Sequence, residues 1–67
     1  MKEIKVYASV KKYDDLEVRV RVVEADGERF LDIRDYIPST EVYGRGVSMP
    51  YTVELVGGLI KGLGALE

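Results

Sequence analysis

The sequence predicts an α+β chain in which a four-stranded antiparallel sheet is followed by one C-terminal helix, all in a single domain over residues 1–67. Three observations predict it. Two segments alternate apolar and polar residues with the period of a half-buried strand, an Asp-Gly pair follows the second of them, and the last quarter of the chain changes to helical spacing after a proline.

Ile4 to Val10 sets Ile4, Val6, Ala8 and Val10 against Lys5, Tyr7 and Ser9, the two-residue period of a strand with one dry face. Asp14 and Asp15 mark the turn that follows. From Leu16 to Glu24 the alternation puts Val18, Val20 and Val22 on one face and Glu17, Arg19, Arg21 and Val23 on the other. Asp26-Gly27 supplies the positive φ of a tight hairpin, so the second and third strands are antiparallel neighbours. In the third strand, Arg29 to Tyr36, Leu31 and Ile33 turn one way and Phe30, Asp32, Arg34 and Tyr36 the other. A loop from Ile37 to Tyr43 carries Pro38, and Gly44-Arg45-Gly46 opens a short fourth strand in which Val47 and Met49 alternate with Ser48. Pro50 reads as a first helical residue, where its missing N–H costs nothing. Val53, Val56, Leu59, Ile60 and Leu63 then recur at helical spacing. Gly57, Gly58, Gly62 and Gly64 oppose the helix by about 1 kcal/mol each relative to alanine, so it needs tertiary support.

A chain this short buries only about 60% of the surface it exposes when unfolded. With no Cys and no His it has neither disulfides nor a zinc-type site to supplement its core, which leaves self-association. A hydrophobic content of 46% and a charged content of 33% describe an ordered globular chain. No apolar run approaches the roughly 18 residues of a membrane span, and Met1-Lys2-Glu3 leads into a strand rather than a signal peptide. The expected setting is intracellular: cytoplasm, nucleoid or nucleus. Ser48 and Thr52 have no His to activate them. Asp32 and Asp35 fall on opposite faces of their strand, and the adjacent Asp14 and Asp15 read as a turn rather than a metal site. The sequence therefore reads as non-catalytic, with no cofactor, no metal, no membrane and no small-molecule substrate.

A net charge of −2 argues by itself against a phosphate-bearing partner, so the distribution of charge decides. If Ile4, Val6, Val10, Val18, Val20, Val22, Leu31, Ile33, Val47 and Met49 pack under the helix, the opposite face carries Lys5, Tyr7, Lys11, Arg19, Arg21, Phe30, Arg34 and Tyr36. Glu17 and Asp32 are the acids that share its parity. Single-strand binding uses this mixture, because cations follow phosphates and rings stack on unpaired bases for roughly 1–3 kcal/mol per base. An ordinary solvated sheet face with cross-strand ion pairs has the same composition, and Tyr7, Phe30 and Tyr36 serve equally well as packing covers.

The order of four strands and a helix, joined to Leu31-Asp32-Ile33-Arg34-Asp35-Tyr36 and Gly44-Arg45-Gly46-Val47-Ser48-Met49, resembles the positive-cofactor-four family of transcriptional coactivators and its bacterial and phage relatives. The match runs from Leu31 to Leu63. The resemblance implies a curved sheet, a homodimer with the helix in its interface (Val53, Val56, Leu59, Ile60 and Leu63), and a groove for single-stranded DNA formed by the two sheets. It puts Arg34 at the family's DNA-contacting arginine and Arg45 at the basic position of the Gly-basic-Gly turn. Two departures stand out: Ile37 lies where relatives can carry an aromatic, and the turn from Ala25 to Glu28 lacks the aromatic and lysines that some relatives have. The expectation is single-stranded DNA binding with little sequence preference, in transcription regulation or DNA maintenance. RNA can use the same contacts. Lys5, Arg19, Arg21, Arg34 and Arg45 would hold phosphates, and Tyr7, Phe30 and Tyr36 would stack on bases. A protein-interaction module using the same face or a strand edge is the other reading. Gly58 and Gly62 have the small-xxx-small spacing that lets two helices approach closely, and the same glycines can simply fray the helix.

Overall fold

The structure is a computed structural model describing residues 1–66. It contains β1 (Lys2–Tyr13), β2 (Leu16–Ala25), β3 (Glu28–Ile37), β4 (Val42–Pro50) and α1 (Val53–Gly64). Asp26 (φ 51°) and Gly27 (φ 76°) both take the left-handed conformation of a two-residue hairpin. That turn fixes Ala25 opposite Glu28, and the register runs unbroken from there to Glu17 opposite Tyr36. Asp15 (φ 53°) turns β1 into β2, and Glu41 (φ 55°) lies in the turn before β4. The result is one antiparallel sheet in the order β1-β2-β3-β4, followed by the C-terminal helix.

Three local expectations change. The strands are longer than their alternating cores, so Tyr43 belongs to β4 rather than to the preceding loop. Pro50 is the last residue of β4, opposite Phe30, and not the first of the helix. As an edge strand β4 tolerates a residue without an N–H. The helix instead starts at Val53, after Thr52, whose extended backbone and Oγ1, accepting from Leu55 N at 3.2 Å, cap its first turn. Glu54 in the first turn and Lys61 in the last complement the helix dipole.

Strict alternation fails in β1, which pairs with β2 through register shifts between Glu3 and Lys5, Val6 and Ala8, and Lys11 and Tyr13. Each shift inserts a residue and reverses the parity beyond it. Residues directly opposite one another share a face, so one face of the central strands carries Val20, Val22, Leu31 and Ile33, and the other carries Arg19, Arg21, Val23, Phe30, Asp32 and Arg34. Burial is greatest in these two strands and is spread over both faces: Val22 and Leu31 on the first, Arg21, Val23, Asp32 and Tyr36 on the second.

Helix α1 lies on the apolar side, where Val56, Leu59 and Ile60 border a groove of about 250 Å³ floored by Val20, Val22 and Leu31. It does not close that groove. No residue of α1 is buried: Val53 (87% exposed), Ile60 (67%) and Leu63 (63%) stand open, and Tyr7 of the sheet, itself exposed, lines the same groove as Ile60 and Leu63. The helix continues through Gly57, Gly58 and Gly62, and a Cβ at any of these would meet nothing within 4 Å.

Candidate nucleic-acid interface

The polar face is organised around Asp32. Its side chain is fully buried, and its carboxylate accepts from Arg21 Nε (2.8 Å), Arg34 Nε (2.8 Å) and Ser48 Oγ (2.6 Å), while Arg34 Nη2 lies 2.7 Å away. Cross-strand register explains the convergence: Asp32 stands opposite Arg21 on β2 and opposite Ser48 on β4, and Arg34 is two residues along the same strand. Burial pushes the Asp32 carboxyl up, but the bonds from Arg34, Ser48 and Arg21 more than reverse this and hold it at about 2. Arg34 also donates to the Gly44 carbonyl (3.0 Å) and to Ser48 Oγ (3.3 Å), which anchors it across β4. Gly46 sits directly opposite Arg34, and a Cβ there would collide with Arg34 Cβ and the Ile33 carbonyl. Gly46 thus lets β4 approach the backbone beneath Arg34, whereas a Cβ at Gly44 would meet only ordinary contact with Asp35.

Around this centre lie two tyrosine rings, each covered by a cation. Arg19 Cζ lies 3.5 Å from the Tyr36 ring centroid, and Arg21 Cζ lies 3.7 Å from that of Tyr43. The rings meet each other at 4.7 Å and 52°. Tyr43 Oη accepts from Arg19 Nη1 (3.2 Å) and donates to Glu3 Oε1 (2.7 Å), and Glu3 also accepts from Arg21 Nη1 (3.0 Å). The Tyr43 hydroxyl holds the Glu3 carboxyl below its usual range, and it raises Arg19 further. Arg19 Nε lies 3.5 Å from Glu17 Oε1 without a hydrogen-bonding geometry. Cation–π contacts of this kind contribute about 0.5–2 kcal/mol each.

Of the eight residues expected to contact nucleic acid, Arg19, Arg21, Phe30, Arg34 and Tyr36 share this face. Lys5, Tyr7 and Arg45 do not. The β1 bulges place Lys5 opposite Val22 and bring Tyr7 to the edge of the apolar groove, with Lys5 Nζ 4.9 Å from the Tyr7 ring. Arg45 flanks Gly46 and points to the apolar side, bordering a hollow with Lys12, Asp35 and Val47. Among the described residues it forms no ion pair. Val6, expected under the helix, stands opposite Arg21 on the polar face. Lys11 stays on that face, opposite Glu17, with Asp14 at 3.3 Å.

Sequence reasoning missed Tyr43, Glu3 and Ser48. A register shift between Arg34 and Tyr36 is what sets Tyr43 opposite Tyr36, and no composition signal marks a bulge. Glu3 precedes the alternating core by one residue and shares the parity of Lys5, but the first register shift of β1 puts the two on opposite faces. Ser48 has the parity of Gly46 and was legible as a face residue, though not as a ligand of Asp32. Asp15, read as a turn residue, accepts from the Ser39 backbone N–H (2.9 Å) and from its hydroxyl, tying the β1–β2 turn to the loop before β4. Asp35 pairs with Lys12 at 3.3 Å on the other side of the sheet from Asp32.

No family model, no curated protein and no solved structure matches this chain.

Proposed function

We propose that this chain is a single-stranded nucleic-acid-binding domain of the positive-cofactor-four kind, which works as a homodimer inside the cell, in transcription regulation or DNA maintenance, and performs no chemistry on the strand. The observation that carries this reading is the sheet face on which Arg19, Arg21 and Arg34 are held in fixed orientations by Asp32, Tyr36 and Tyr43. Planar cations ordered in advance suit a ligand of alternating phosphates and flat bases, because little side-chain entropy remains to be lost on binding. The resemblance of residues 31–63 to the family supports the same conclusion. Arg34, with its donors around Gly44 and Ser48, is the central phosphate ligand in this reading, and Phe30 is the ring of this face over which no cation lies among the described residues.

Self-association follows from the other face. The open side chains of α1 and the apolar sheet residues beside them form the kind of contiguous apolar surface that soluble monomers rarely expose. The occupant proposed for it is a second copy, seated through Val53, Val56, Leu59, Ile60 and Leu63. Light scattering should give twice the chain mass, and Ile60→Asp should lower it to one chain; a wild-type monomer at micromolar concentration would end the dimer proposal.

A second reading has its own support. Glu3, Glu17 and Asp32 offset the charges of Arg19, Arg21 and Arg34 on the polar face, which suits a protein partner as well as a polyanion. Anisotropy titration of a labelled single strand, its duplex and the matching RNA at several salt concentrations separates the two. Nucleic-acid binding predicts preference for the single strand and a log–log salt slope of roughly −2 for about three phosphates engaged. No binding at low salt would favour the protein-docking reading.

A further inference from the structure

We infer that the guanidinium of Arg19 is itself a base-stacking surface of this protein, and that Tyr36 and Tyr43 behind it serve as its support. The inference rests on the nucleic-acid reading above. Stacking rings are normally exposed, whereas Tyr36 keeps only 7% of its surface open. Arg19 Cζ sits directly over it at 3.5 Å, and Tyr43 packs against it at 4.7 Å. Tyr43 is itself occupied by Arg21 at 3.7 Å. A base could reach either ring only by displacing an arginine that other groups hold in place.

Arg19 is the more open of the two arginines in this stack. About a quarter of its side chain (24%) is exposed, against 9% for Arg21. Its Nη1 donates to Tyr43 Oη at 3.2 Å and the Glu17 carboxylate lies 3.5 Å from Nε, so ring contact, hydrogen bond and charge together fix the plane. A guanidinium is planar, delocalised and weakly hydrated, and unpaired bases stack on it as they do on aromatic rings. An ammonium group carries the same charge and offers no plane. Arg19 also stands directly across from Arg34, so a base over Arg19 leaves its own phosphate within the neighbourhood of Arg34.

The test crosses two changes: Arg19→Lys in the full chain, and removal of the bases from the ligand. Wild-type and R19K proteins are titrated with a labelled oligothymidylate and with an abasic strand of equal length, and circular dichroism and melting confirm that R19K is folded. For oligothymidylate, R19K should weaken binding by about tenfold, the lower part of the range for one stacked base, with the salt slope unchanged because the charge is kept. For the abasic strand the two proteins should bind alike. Equal binding of oligothymidylate by both proteins would overturn the inference and leave Arg19 as a plain cation. The same would follow if R19K lost equally on both strands, since the loss would then not involve a base. If the wild-type protein binds neither strand, the nucleic-acid reading falls and this inference falls with it.

Discussion

Replacing Asp32 by asparagine asks whether one buried charge organises the polar face. The carboxylate is fully buried and holds Arg21, Arg34 and Ser48. Burial alone would raise its pKa, yet the three partners bring it to about 2 from an ordinary 3.8. A difference of nearly two units corresponds to about 2 kcal/mol of stability carried by the ionised form. Because the folded value lies below the unfolded one, this contribution is fully present above about pH 4 and is lost as pH falls toward 2. Asp32→Asn removes the charge and turns an amide N–H₂ toward guanidinium donors. Breaking a buried ion pair typically costs about 3–5 kcal/mol, so the expected loss near neutrality is about 2–5 kcal/mol, or at least about 10 °C in Tm for a domain of this size. Urea unfolding of both proteins should be followed near neutrality and at about pH 2.5, at one protein concentration because self-association shifts the midpoint. The gap should narrow in acid, where the wild type loses what the variant never had. A variant as stable as wild type near neutrality, or two stability curves that run parallel down to acid, would refute the assignment of Asp32 as the organising charge.

Two further substitutions test the elements that position the site. Gly46→Ala places a methyl group against Arg34 Cβ and the Ile33 carbonyl; it should cost about 3 kcal/mol or more and speed amide exchange along β4, and unchanged exchange there would contradict the close approach. Thr52→Ala removes the acceptor for Leu55 N and should cost about 1 kcal/mol with less far-UV helical signal; an unaltered signal and melting point would mean that the cap contributes nothing.

The strands, their order and the position of the helix were legible because each is set by local chemistry: valines at alternate positions in β2, Asp26-Gly27 between β2 and β3, and apolar residues at helical spacing after Thr52. The composition of the site was less legible, and the reason lies in the bulges. Sequence parity carries a residue to the correct face only while the register is continuous, as it is from Glu17 to Ala25 against Glu28 to Tyr36. Arg19, Arg21, Phe30, Arg34 and Tyr36 all lie in that stretch, and all share the expected face. Lys5, Tyr7 and Val6 lie between the shifts of β1, and all three change sides. Tyr43 enters the site through the shift between β3 and β4. Bulges belong preferentially to sheet edges, and β1 and β4 are the two edges of this sheet. A face read from alternation alone is therefore most secure at its centre. Here the centre is where Asp32 gathers Arg21 and Arg34, and where Arg19 lies on Tyr36, so the three arginines on which the function is argued are residues for which parity was a sufficient guide, while Tyr43, which supports two of them, is not.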